Sequence, residues 1–229
     1  MKLRQLTGRV FFLPHEPERD RPALAYVRGE RFSLAIDAGY SPEHVEDFYG
    51  ALEAAGFSAP DFTALTHWHY DHTFGLCRTG GISIAHERTG AFLERERERA
   101  RDPRYLEELR AEDPCFAREY GEGRRLEVIP PDLTFRDRLT LDLGGLTARV
   151  FHTEAPHSED TVCVEIPAER VLFLGDSICG DFFNGGYLDR EKLRKLARVI
   201  EDTDCALCVL SHAEPLGKGE LMDYLRGIL

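Results

Sequence analysis

The chain has 229 residues, 42% of them hydrophobic, and a formal net charge of -12 at pH 7. Its length and composition suit one cored globular domain rather than a disordered chain, and its acidity argues against a nucleic-acid partner. No stretch approaches the roughly 18 to 20 apolar residues that span a bilayer. The early run "VFFL" is too short for a secretory signal core, so a cytoplasmic protein without a membrane partner is expected.

The first segments predict strands: "RVFFL", then two apolar runs in "ALAYVRGERFSLAIDAG" broken at Arg28, Gly29 and Glu30, the pattern of a hairpin. A helix follows, with Ser41 as N-cap and Pro42 at its first position. Val45, Phe48, Leu52 and Ala55 recur at helical spacing, and Gly56 closes the segment. "FTALTH" reads as a strand delivering the chain into "THWHYDH", residues 66 to 72; "HTFGLC" then reads as a short helix and "GISIAHE" as a strand. Residues 87 to 121 are charged and helix-prone, interrupted by Pro103 and Pro114, and predict two or three inserted helices. Their "ERERER" run sets opposite charges at i+3 but like charges at i+4, so it gives a helix little net support. The insertion is either a solvated face or a lid over the histidine cluster. Strands are expected at "RLEVIP", "LTLDLGG", "LTARVFH", "TVCVEIP" and "RVLFLGD". They precede a helix from about Asp189 to Glu201, the strand "CALCVLSH" and a helix near Lys218 to Gly227. Two strand-rich halves, each followed by helices, predict two packed sheets covered outside by helices, in one domain with an insertion at about 87–121.

The six cysteines are scattered, as in a reducing compartment, and the C-x-x-C of Cys205 and Cys208 lies in an apolar run that reads as a buried strand. "HWHYDH" is the chemically loaded segment. In an extended strand His67 and His69 project to one side, about 7 Å apart, where one ion can join both. If the chain then turns into a short helix, Asp71 and His72 change direction and can reach a second ion. Further donors stand where apolar strands stop: His157 in "APHSEDT", Asp176 after "VLFLG" and His212 after "CALCVLS". Of the histidines left without such a role, His86 alone stands out, at a strand end.

With these segments in this order the chain resembles the metallo-β-lactamase superfamily. "HWHYDH" matches that family's H-x-H-x-D-H, and "PHSEDT", "FLGDS" and "LSH" follow as they do there. The resemblance covers nearly the whole chain and implies an α/β fold, the four-layer αββα sandwich of two mixed sheets flanked by helices, with metals at one edge. It implies that His67, His69 and His157 hold one metal, that Asp71, His72 and His212 hold another, and that Asp176 bridges them. Two divalent ions are expected: zinc suits the donors, and manganese or iron can also occupy them. Offset by Asp71 and Asp176, two such ions keep about two positive charges, enough to hold a hydroxide.

The expected activity is hydrolysis of a small-molecule ester, thioester, lactone or phosphoester by that hydroxide. Asp71 is the expected catalytic residue: either it protonates the leaving group or the second metal stabilises it. Asp37, in "LAIDAG", resembles a further family motif and is expected to orient a ligand histidine or steady its loop. Trp68 and Tyr70 are expected to pack, and Phe182, Phe183 and Tyr187 of "CGDFFNGGYLD" either to line a small apolar substrate pocket or to pack as core or lid, with Tyr187 otherwise a loop aromatic. Two other readings compete. One is a mononuclear iron oxidoreductase similar to persulfide dioxygenases, with its iron on His67, His157 and Asp176. The other is a non-catalytic metal-binding module, for which seven ligands are more than binding requires.

Overall fold

The computed structural model describes residues 2–229. Sheet one takes its strands in sequence order: β1 (Arg4–Gln5), β2 (Val10–Leu13), β3 (Leu24–Arg28), β4 (Ser33–Ile36), β5 (Phe62–Ala64), β6 (Ile82–His86) and β7 (Leu133–Phe135). Its first four strands pair antiparallel and the rest parallel. Sheet two comprises β8 (Arg138–Asp142), β9 (Thr147–His152), β10 (Val162–Ile166), β11 (Val171–Gly175), β12 (Leu207–Leu210) and β13 (Leu216–Gly217), with only β11 and β12 parallel.

Side-chain alternation sets the layers. Ala25 and Val27 of β3 pack toward Val150, Val164 and Phe173 of sheet two, while Leu24 and Tyr26 face outward beneath the helix α1 (Pro42–Ala54). Helices α6 (Arg190–Asp202) and α7 (Lys218–Ile228) cover the far face of sheet two through Leu193, Leu196, Ile200, Leu221 and Leu225. The expected αββα sandwich is therefore present, and strands buried on both faces explain the continuous apolar runs. Cys208 lies fully buried in that outer layer with its Sγ 3.9 Å from Cys205, and burial, then Cys205, pushes its thiol up to about 12. Among the described residues no helix is long and apolar enough to cross a membrane.

Ser41 and Pro42 start α1 as predicted, the Ser41 hydroxyl accepting from the His44 amide at 3.3 Å. The insertion forms α3 (Glu87–Arg99), α4 (Pro103–Glu112) and α5 (Pro114–Glu119), preceded by the single turn α2 (Tyr70–Thr73). Pro103 and Pro114 occupy first helical positions, where a missing N–H costs nothing, and Asp102 and Asp113 cap both helices. Two expectations about strands fail. "RLEVIP" forms no strand: Val128 is drawn into the core beneath the inserted helices, and the free edge of β6 pairs instead with Leu133–Phe135. The strand at "FTALTH" stops at Ala64, because Thr66 turns toward sheet two, its carbonyl accepting from Val162 N at 2.7 Å.

Arg21, on the connection from β2 to β3, is 1% exposed. It grips the fully buried Glu119 of α5 with two nitrogens, at 2.8 and 3.0 Å, and Asp47 of α1 at 2.7 Å. This ties the β2–β3 connection to α1 and the insertion at once. Removing Arg21 leaves the buried Glu119 with Arg19 as its cation, at 2.7 Å, a loss of up to about 3–5 kcal/mol. Arg21→Met is expected to lower unfolding free energy by that amount, read as the shift of a urea midpoint, and a second change, Glu119→Gln, to restore part of it.

Candidate metal centre

The segment from Thr66 to His72 is shaped by Asp37, which follows β4. Asp37 sits at φ 64, left-handed backbone uncommon for a residue with a side chain. Its carboxylate accepts from Thr66 N at 2.7 Å, from Thr66 Oγ1 at 2.9 Å and from His72 Nδ1 at 2.8 Å. Because His72 donates through Nδ1, its Nε2 is left facing Asp71 and Asp176 at 3.1 and 3.3 Å. The expected role of Asp37 toward a histidine and its loop thus has a geometric counterpart.

His67 and His69 do not lie on a strand, so alternation does not place them. A loop brings them together, their rings 4.5 Å apart, and α2 begins at Tyr70 with Asp71 and His72 turned away as expected. The Thr66 hydroxyl, already donating to Asp37, accepts from His67 Nδ1 at 3.1 Å. His67 Nε2 then carries a lone pair, fully buried and without a hydrogen-bond partner among the described residues. His157, between β9 and β10, donates Nδ1–H to the Gly180 carbonyl at 2.9 Å and faces His69 Nδ1 with Nε2 at 3.1 Å. A Cβ at Gly180 would lie 2.3 Å from the Gly186 carbonyl oxygen, so only glycine brings this carbonyl into place. Burial, then the neighbouring imidazoles, holds His67 well below the ordinary histidine range; burial and His157 lower His69 to about 3.

Asp71, His72, Asp176 and His212 form the adjoining group. Asp176 follows Gly175, where sheet two is irregular and φ is 57; a Cβ there would approach Thr66 Cβ to 2.8 Å. His212 Nε2 is 3.0 Å from Asp71 Oδ2 and 3.4 Å from Asp176 Oδ2, and Asp176 Oδ2 is 3.8 Å from His157 Nε2. Asp176 therefore stands between the two groups. Burial opposes a charge on His72 and His212, but the two aspartates outweigh it, raising His72 well above its ordinary value and His212 to about 9. Asp71, despite burial, is held well below the carboxylate range by His72 and His212.

This donor chemistry fits a cation. Buried polar atoms almost always have a partner, yet His67 Nε2 points its lone pair among two other imidazoles, and donor atoms of each group lie within 4.8 Å of one another. Imidazole and carboxylate are the ligands of zinc and its first-row neighbours. In the second group Asp71 and Asp176 favour protonation of His72 and His212, a positive charge where an ion would supply one.

Above both groups opens a cleft of about 220 Å³. Phe182 and Phe183 line it as expected, whereas Tyr187 does not: its backbone bridges to Asp181, leaving the ring 61% exposed away from the cleft. Trp68 packs as predicted, between Phe92 and Phe183. Tyr70 both packs and lines the cleft, stacked on Tyr40 and donating to Asp113 at 2.8 Å. Asp20 and Cys179 complete the lining and carry no recognisable sequence signal. No lining residue comes from the 87–121 insertion, so the lid reading is corrected. Leu93, Tyr105, Leu109 and Phe116 are spent on a core beneath it, and the insertion reaches the site by supporting Trp68 and Tyr70 and by the Thr89 hydroxyl donating to Asp160 of the His157 loop at 2.7 Å. His86 stacks on His152 at 4.2 Å, outside both groups.

A family model described as the metallo-beta-lactamase superfamily matches residues 20–212. The acyl-coenzyme A thioesterase MBLAC2 of Bos taurus is 26% identical over 180 residues, covering 74% of this chain and 61% of that protein. The atrochrysone carboxyl ACP thioesterase of Aspergillus fumigatus is 24% identical over 179 residues, covering 78% of this chain and 46% of that protein. This chain thus spans less than two thirds of the length of either relative. Among solved structures, a metallo-beta-lactamase from Pontibacter korlensis superposes with a TM-score of 0.68 at 18% identity, covering 98% of both chains.

The proton-laden second group makes metal-free stability depend on pH. His212 is raised from 6.5 to about 9, so its stabilisation is complete below about pH 6.5 and disappears as pH rises through 9. Urea midpoints of chelator-treated protein should fall across that window, and Asp71→Asn, which removes the hydrogen-bonded charge, should flatten the profile.

Proposed function

Because this chain belongs to the metallo-β-lactamase superfamily, we propose that it is a binuclear metal-dependent hydrolase acting on a small thioester. The observation that carries this reading is the convergence of two donor groups on either side of Asp176, at the floor of an open cleft. His67, His69 and His157 would hold one ion and Asp71, His72 and His212 the other, with Asp176 shared. Zinc is the first choice on donor chemistry, with manganese or iron compatible. Bound there, divalent ions supply Lewis acidity, polarising the acyl carbonyl and lowering the pKa of the attacking water.

The remaining work falls to the chain's own side chains. Asp37 holds His72 in one tautomer and one orientation. Asp71 lines the cleft, where it would orient the attacking water and relay its proton to the leaving group. A thiol has a pKa of about 8.5, so a thiolate leaves even before that proton arrives. One feature favours the thioester over the other esters: both relatives described above are named thioesterases. Seven donors exceed what one iron on His67, His157 and Asp176 needs, which disfavours the oxidoreductase reading.

The test is metal content by elemental analysis together with thiol release from acetyl and octanoyl thioesters. About two ions per chain and turnover are expected. Asp176→Ala should lose an ion and at least about 100-fold in activity, more than the 10–100-fold typical of residues one step removed from a metal. Metal-loaded protein that releases thiol from no thioester overturns the proposal. Asp37→Ala should weaken metal affinity by about 10–100-fold, measured by competition with a chromophoric chelator.

A further inference from the structure

The cleft has two unlike ends. At the His69 end stands Phe183, its ring 5.0 Å from the imidazole and 54% exposed, with Phe182 set edge-on against it at 5.2 Å and 61% exposed. Exposed aromatics of this size beside a polar centre call for an apolar partner. Nor are they loosely held. Phe183 stacks on Trp68 at 4.9 Å, Trp68 on Phe92 at 5.1 Å, and the Arg95 guanidinium lies 4.4 Å above Phe92, a continuous pile rooted in α3. The loop beneath is closed by Asp181 N donating to Tyr187 O at 2.9 Å and Gly186 N donating to Asp181 O at 2.8 Å.

At the His212 end stands Asp20, its Oδ1 3.4 Å from His212 Nδ1 and its side chain 57% exposed. Its backbone is left-handed, at φ 53, and the next residue is the buried Arg21, so the carboxylate is presented from a fixed turn. An ionised carboxylate only accepts hydrogen bonds. Asp20 stands at this end with no lysine or arginine beside it in the cleft, so its carboxylate matches a neutral group that offers an N–H donor.

Resting on the thioester reading above, we propose that the cleft sorts the two halves of its substrate by polarity. Phe182 and Phe183, backed by Trp68 and Phe92, take the hydrocarbon of the acyl group, and Asp20 accepts from an amide N–H of the departing thiol arm. The arm with that chemistry is pantetheine, which joins sulfur to its carrier through two amides. Its phosphates lie beyond these amides, outside the cleft. Coenzyme A and acyl-carrier proteins share this arm.

The test uses the metal-loaded full chain and octanoyl esters of ethanethiol, N-acetylcysteamine, coenzyme A and an acyl-carrier protein. The N-acetylcysteamine ester, which alone of the two small probes carries an N–H, should have a KM about tenfold lower than the ethanethiol ester. Asp20→Ala should bring that ratio close to one without loss of bound metal. Phe183→Ala should raise KM for octanoyl relative to acetyl N-acetylcysteamine ester by about tenfold. Whichever carrier ester gives the higher kcat/KM identifies the arm's source, and both falling below the ethanethiol ester overturns the pantetheine assignment. If Asp20→Ala raises KM equally for both small esters, or sheds metal, Asp20 acts through His212 and the inference is wrong. Hydrolysis with no discrimination among arms or acyl groups overturns this inference alone, whereas no hydrolysis of any thioester overturns the thioester reading with it.

Discussion

The Asp37 carboxylate is the contact on which the site depends. One buried acid joins the end of β4 to the backbone and hydroxyl of Thr66 and to the ring of His72. Through Thr66 it reaches two further places: the hydroxyl fixes the tautomer of His67, and the carbonyl anchors β10 of the facing sheet. Strained backbone at Asp37 is tolerable because three hydrogen bonds converge on its carboxylate and hold it there.

Around that pin each sheet contributes what the other lacks. Sheet one delivers His67, His69, Asp71 and His72 on a loop and a single helical turn. Sheet two delivers His157 from the connection between β9 and β10, and Asp176 and His212 just beyond the ends of β11 and β12. The carboxylates cluster without any lysine or arginine in the cleft, so positive charge comes from imidazolium protons or from bound ions, two occupants competing for the same atoms. The inserted helices act at one remove. They bury their own apolar faces and pass rigidity to the site through Trp68 and Tyr70.

Much of this was legible before any coordinates. Ser41 and Pro42 announce α1 because capping is local chemistry, and His157, Asp176 and His212 stand out as polar residues where apolar runs stop. The cluster at 67–72 was legible as well, but for a partly mistaken reason: β5 ends at Ala64, and the convergence of His67 and His69 comes from a hydrogen bond to a residue of the other sheet. What stayed hidden is what depends on distant partners. Arg21 reads as a surface arginine until Asp47 and Glu119 close around it, and Asp20 reads as an acid in a polar turn until that turn folds beside His212. Tyr187 shows the opposite error, since an aromatic in a glycine-rich loop near Asp176 need not face inward. Strands as short as β1, β7 and β13 are beyond the reach of periodicity, which needs more residues than they contain.

The spread of the seven converging side chains along the chain also bears on how the protein is made. They run from His67 to His212, and the group that includes Asp176 is complete only when β12 has docked beside β11. During synthesis the ribosome releases the histidine-rich segment long before its partners, so an early ion would meet a flexible chelating peptide rather than a site. The full set of donors therefore exists only in the finished fold.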